Sequence, residues 1–134
     1  PRDNEGRTPL MHAAQYGDLV MIRDLLAKGG DPNARNGFEQ TPLMFAVALP
    51  EPAAAELLVA AGADANAMDA AGRSVLINAV LAGAERTANV QLLLKAGVDL
   101  NTKDNEGRTA LAWAENKGYA AIEKLLKKAG AVEW

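Results

Sequence analysis

Thr8-Pro9-Leu10-Met11-His12-Ala13 returns three times along the chain, as Thr41-Pro42-Leu43-Met44-Phe45-Ala46, Ser74-Val75-Leu76-Ile77-Asn78-Ala79 and Thr109-Ala110-Leu111-Ala112-Trp113-Ala114. The spacings are 33, 33 and 35 residues. A second marker keeps the same beat in Gly30-Asp31-Pro32-Asn33, Ala63-Asp64-Ala65-Asn66 and Val98-Asp99-Leu100-Asn101. A third, Asp-x-x-Gly-Arg, stands at Asp3 to Arg7, Asp69 to Arg73 and Asp104 to Arg108. Three interleaved markers at one period mean that a single supersecondary unit is repeated and must stack on its neighbours.

The residues of each unit explain its local structure. Thr8, Thr41, Ser74 and Thr109 each offer a side-chain oxygen to the free N–H groups at a helix start. Pro9 and Pro42 suit the first helical position, where no N–H is needed. Leu10, Ala13 and Ala14 share one helical face, and the alanines let a paired helix approach closely. A second helix follows with Leu19, Ile22, Leu25 and Leu26, matched by Leu57-Leu58, Leu92-Leu93-Leu94 and Leu125-Leu126. Gly29, Gly62, Gly97 and Gly130 trail these leucines as expected for left-handed C-terminal caps. Asp31, Asp64 and Asp99 read as turn hydrogen-bonders.

With these motifs in view, the chain resembles the ankyrin repeat, whose unit is a turn and two helices opened by Thr-Pro-Leu-His-x-Ala. The Thr-Pro-Leu-Met openings look similar to those of many bacterial ankyrin proteins. The resemblance implies an all-α repeat solenoid of stacked helix-turn-helix units with hairpin-like β-turn loops. It divides the chain into units at 8–40, 41–73, 74–108 and 109–134, the last a polar C-terminal cap carrying Glu115, Asn116, Lys117, Glu123, Lys124, Lys127 and Lys128. Residues 1–7 read as the hairpin loop of a preceding repeat. With Pro1 in place of Met, the chain reads as a piece of a longer polypeptide whose upstream segment covered the first helix pair.

Four departures break the pattern. The inter-helix turn Tyr16-Gly17-Asp18 of the first unit becomes Leu49-Pro50-Glu51-Pro52 in the second, and proline cannot take the positive φ that Gly17 permits. The third unit carries two extra residues around Gly83-Ala84-Glu85-Arg86-Thr87. Asn36-Gly37-Phe38-Glu39-Gln40 stands where other loops have Asp-x-x-Gly-Arg, so the turn geometry should shift and Phe38 should sit near a hairpin tip. The family's His is replaced by Met11, Met44, Ile77 and Ala112, while His12, Phe45, Asn78 and Trp113 form the next column. His12, the one histidine, reads as a hydrogen-bonded core residue, since no second His or Cys completes a metal set. Asn78 and Trp113 read as structural too.

Composition sets limits on function. The 134 residues are 49% hydrophobic, 23% charged and 4% aromatic, with no Cys. That excludes disulfides, thiolate zinc sites and cysteine nucleophiles, and it leaves the compartment open. The net charge of −3 without a basic block argues against a nucleic-acid backbone or an anionic membrane as main partner. No apolar stretch approaches the roughly 20 residues of a membrane span. No phosphate-binding Gly-x-x-x-x-Gly-Lys loop, Gly-x-Ser-x-Gly elbow or His-Glu-x-x-His helix occurs, and acidic groups at a structural period do not converge on one point as catalysis requires. These residues suggest neither an enzyme nor a cofactor.

The resemblance instead implies a partner protein held on a concave face of hairpin tips and first helices. Carried over by position, that face comprises Asn4, Glu5, Arg7, Gln15 and Tyr16, then Arg35, Phe38, Gln40, Ala48 and Leu49. It continues through Met68, Ala71, Arg73, Leu81 and Ala82 to Lys103, Glu106, Arg108, Asn116 and Lys117. Tyr16, Phe38, Leu49, Met68 and Leu81 are apolar where a solvated surface prefers polar groups, and Arg7, Arg35, Arg73 and Arg108 rim them, as in an interface hot spot. Two other roles remain open: a regulatory or structural domain docked on an upstream enzymatic or transport domain, and self-association through the N-terminal end. The isolated domain is expected to be monomeric.

Overall fold

The structure, a computed structural model, describes residues 6–83 and 87–131. Eight helices are present among them: α1 Pro9–Tyr16, α2 Leu19–Ala27, α3 Pro42–Ala46, α4 Ala53–Ala60, α5 Val75–Leu81, α6 Thr87–Lys95, α7 Ala110–Lys117 and α8 Ala120–Lys128. Each odd-numbered helix packs on the even-numbered helix after it. The odd helices also form a continuous row, α1 on α3, α3 on α5 and α5 on α7, while α2 packs on α4 and α6 on α8. Neighbour stacking of this kind is how a unit that cannot bury its own apolar face becomes stable.

The periodic columns account for the core. Leu10, Leu43, Leu76 and Leu111 are all buried, as are Ala13, Ala46, Ala79 and Ala114 beside them. The next column is Ala14, Val47 and Val80, each fully buried, but in the last unit it is the exposed Glu115. That exchange puts a charged group where the earlier units bury an apolar one against the next helix. No helix of the described residues is long and apolar enough to cross a membrane.

Helix starts behave as expected in three units. Thr8, Ser74 and Thr109 accept hydrogen bonds from the N–H groups of Met11, Ile77 and Ala112. Thr41 does not: its hydroxyl is buried without a partner, and Met44 N–H bonds the Thr41 carbonyl at 3.1 Å instead. That tighter, 3₁₀-like closure takes the N–H which the hydroxyl would have accepted from. The proline turn is rebuilt as well. Gly17 ends α1 at φ 68, but α3 stops at Ala46, and the Leu49 carbonyl is held at 2.8 Å by the Nδ2 of Asn89, a buried residue of α6.

The hairpin loops form a ladder. Asp31, Asp64 and Asp99 each accept from the N–H two residues on, and Asn33 and Asn66 reach forward to accept from the N–H of Asp64 and Asp99 in the next unit. At the tips, Asp69 Oδ1 accepts from Ala71 and Arg73 N–H, and Asp104 Oδ1 from Glu106 and Arg108 N–H. Asn36 Oδ1 accepts from Phe38 and Gln40 N–H in the same pattern, so this turn keeps the geometry of the others rather than shifting. An amide oxygen serves as well as a carboxylate for those two bonds. The strain falls on Glu39, which takes φ 59 where Gly72 and Gly107 take 75 and 78. A side chain in the left-handed region costs about 1–2 kcal/mol, less the greater unfolded-state freedom of glycine. Glu39→Gly is therefore expected to stabilise the domain by about 0.5–1 kcal/mol, measured by urea unfolding; a loss of stability would contradict the strain.

Candidate functional site

The large exposed apolar side chains lie at the end of an odd helix and on the hairpin loops. Tyr16, at the end of α1, is 77% exposed, and Phe38 and Met68 on successive loops are 57% and 44% exposed. The backbone ties these loops together. The Phe38 carbonyl accepts from Ala70 N–H at 3.0 Å, and Arg35 Nη1 donates to the carbonyls of Glu39 and Met68. Phe38 thus stands on a braced tip, as expected. Leu49 and Leu81 do not join it: both are half-buried against the core. The shortened α3 and the tether from Asn89 hold Leu49 beside Gly17, where a methyl group in place of the glycine hydrogen would meet Leu49 Cδ1 at 3.3 Å.

The polar positions split by what they already bind. Arg7 donates to Gln15 Oε1 at 3.3 Å, and Gln40 Oε1 accepts from Asn36 Nδ2 at 2.9 Å. Lys103, Asn116 and Lys117 are exposed, as are Ala48, Ala71 and Glu106, while Ala82 is half-buried. Asn4, Glu5 and the insertion residues 84–86 lie outside the described residues. His12 is half-buried rather than enclosed in the core, and Asn78 bonds the Ser74 carbonyl through Nδ2 at 3.0 Å. No three His, Asp or Glu side chains among the described residues are grouped to hold a metal ion.

Arg73 and Arg108 converge with a residue outside the expected face, Trp113 of α7. The indole is 7% exposed, and its Nε1 donates to Asp104 Oδ2 at 2.7 Å. Arg108 Cζ lies 4.6 Å and Arg73 Cζ 5.5 Å from the ring centroid, with Lys117 Nζ at 5.9 Å. All three cations are within cation–π range. Burial pushes the Asp104 carboxyl up, but the N–H groups of Arg108 and Glu106, the Trp113 indole and the charge of Arg73 outweigh it and hold the group below its ordinary value. The signal for this cluster in sequence was the Trp itself, which stands where His12, Phe45 and Asn78 stand in the other units, with Arg in the loop before it and in the loop one period earlier.

A family model described as ankyrin repeats (3 copies) matches residues 1–69 and again 43–133. The chain belongs to the ankyrin-repeat family. No curated protein matches the chain. Ankyrin repeats are generally protein–protein interaction modules and typically non-catalytic. In an ankyrin frame, the tips bearing Phe38 and Met68 and the exposed end of α1 are positions that contact solvent without being needed for stacking, since the core closes beneath them.

Proposed function

We propose that this chain is a protein-binding module without chemistry of its own, holding its partner across the face built from the hairpin tips and the odd-numbered helices. The observation that carries the reading is the exposure of Tyr16, Phe38 and Met68 above a closed core. Large apolar side chains on braced backbone lose little entropy on binding and serve as anchors. Arg7, Gln15, Arg35, Gln40, Lys103 and Asn116 supply the polar rim, with Arg73, Arg108 and Lys117 at its far end. Four units offer room for an interface of roughly 800 Å² per partner. The reading involves no cofactor, metal, nucleic acid or membrane surface, and takes the isolated domain as monomeric. A second reading, a regulatory or structural domain docked on another domain of the same polypeptide, is favoured by Val20 and Met21 of α2, 75% and 45% exposed.

The test compares capture of proteins from source-cell extract by this chain and by a Tyr16→Ala, Phe38→Asp double variant. Both exposed residues lie outside the core, so the variant should keep its helical circular dichroism. A protein retained by the original and lost with the folded variant supports the face. Equal retention by both removes Tyr16 and Phe38 from it, and a Val20→Asp, Met21→Asp variant then asks whether α2 is the docking surface.

A further inference from the structure

The Arg73–Trp113–Arg108 cluster differs from the two other loop arginines, Arg7 and Arg35, in the partners of its guanidinium groups. Arg7 is engaged by Gln15, and Arg35 by two backbone carbonyls. The guanidinium groups of Arg73 and Arg108 make no hydrogen bond to the described residues, and Arg73 Nε is buried without an acceptor. Both oxygens of Asp104, the carboxylate bonded to the indole, are committed, Oδ1 to two backbone N–H groups and Oδ2 to the indole. Three cations therefore gather around one indole, and the carboxylate that the indole bonds has no oxygen left uncommitted. Contact with the Trp113 ring limits the freedom of both side chains, which lowers the ordering entropy an incoming carboxylate must offset.

We infer that this cluster is a docking site for an acidic segment of a partner protein, whose Asp or Glu carboxylates take paired hydrogen bonds from Arg73 and Arg108. The inference rests on the interaction reading above and names the partner's chemistry at one end of its face. The fork-to-carboxylate match is the strongest kind of charge-assisted hydrogen bond available to these groups. A protein partner is favoured over a nucleic acid because the chain has a net charge of −3 and no basic block, whereas an extended phosphate backbone needs a continuous basic track.

The test uses a short fluorescein-labelled peptide alternating Glu and Ala, a Gln-for-Glu control peptide and labelled oligothymidylate, with fluorescence anisotropy as readout. The intact domain should bind the acidic peptide, more weakly as salt rises, and should bind the control far less. Arg73→Gln with Arg108→Gln should weaken binding by about tenfold or more, the loss expected for hydrogen bonds to a charged group. Arg108→Lys should weaken it partly, and Lys117→Gln, at an exposed side chain that no packing requires, should weaken it by a few-fold at low salt. Each variant's thermal melt shows that it is folded. Absence of peptide binding, equal binding by the variants, or tighter binding of oligothymidylate would overturn the inference. Tyr16→Ala with Phe38→Asp should leave peptide binding intact, so loss of the apolar anchors and loss of this site are separately visible.

Discussion

Ile77→Ala is expected to remove about 2–5 kcal/mol of stability, the range for truncating a fully buried Ile in a core that only partly collapses. Total stabilities of about 5–15 kcal/mol make that a large share. The location amplifies it. Ile77 sits on α5, which packs on α3 at one side and α7 at the other, so a weakened third unit loses two interfaces. In a linear array where each unit contacts only its neighbours, that loss uncouples the two ends. Urea unfolding should accordingly show a lower midpoint and a shallower slope, as the outer units begin to melt separately. Ile122→Ala on α8, in the terminal pair, should lower the midpoint while leaving the slope nearer to that of the parent. If both variants behaved alike, the nearest-neighbour account of cooperativity would be wrong.

Asp104→Asn should cost about 2–3 kcal/mol. The substituted amide can keep the oxygen that faces Glu106 and Arg108 N–H, but its NH₂ group then meets the indole N–H of Trp113, donor against donor. A buried donor without an acceptor costs about 1–3 kcal/mol, and loss of charge assistance from Arg73 adds to it. The pH dependence has a definite sign. Because the folded protein holds the Asp104 carboxyl below its ordinary value, its contribution is present above the unfolded-state value near 3.9 and is lost as pH falls through the folded one. The difference in melting temperature between parent and variant should be full at neutral pH and shrink below about pH 4. A difference that stayed constant into acid would show that the carboxylate charge is not what holds Trp113.

Asn36 supplies an internal comparison. It occupies the position of Asp104 two units earlier, and there an amide works because its Nδ2 faces Gln40 Oε1, an acceptor, in place of an indole donor. The choice between Asn and Asp in this loop follows the partner of the second atom. For the same reason the departure at Asn36 to Gln40 changed no turn geometry, although as a string of letters it looks like a different loop. The one cost it carries, Glu39 at positive φ, follows from replacing the loop glycine.

The repeat period, the helix pairing and three of the four Thr or Ser helix caps were determined by the sequence itself, because they depend on residues a few positions apart and on columns that recur every 33 to 35 residues. Tertiary structure alone decided the points where distant residues meet. Asn89 captures the Leu49 carbonyl from 40 positions away, which draws Leu49 inward and off the expected face. Thr41 loses its capping bond to a backbone closure that its Thr-Pro-Leu-Met motif, shared with Thr8, does not reveal. Trp113 gathers Arg73 from the end of the second unit and Asp104 and Arg108 from the end of the third, and only their three-dimensional convergence shows two guanidinium groups beside one indole and left without acceptors among the described residues. Local propensity sets what each segment becomes; the direction in which a side chain finds its partner depends on the neighbour that stacking brings to it.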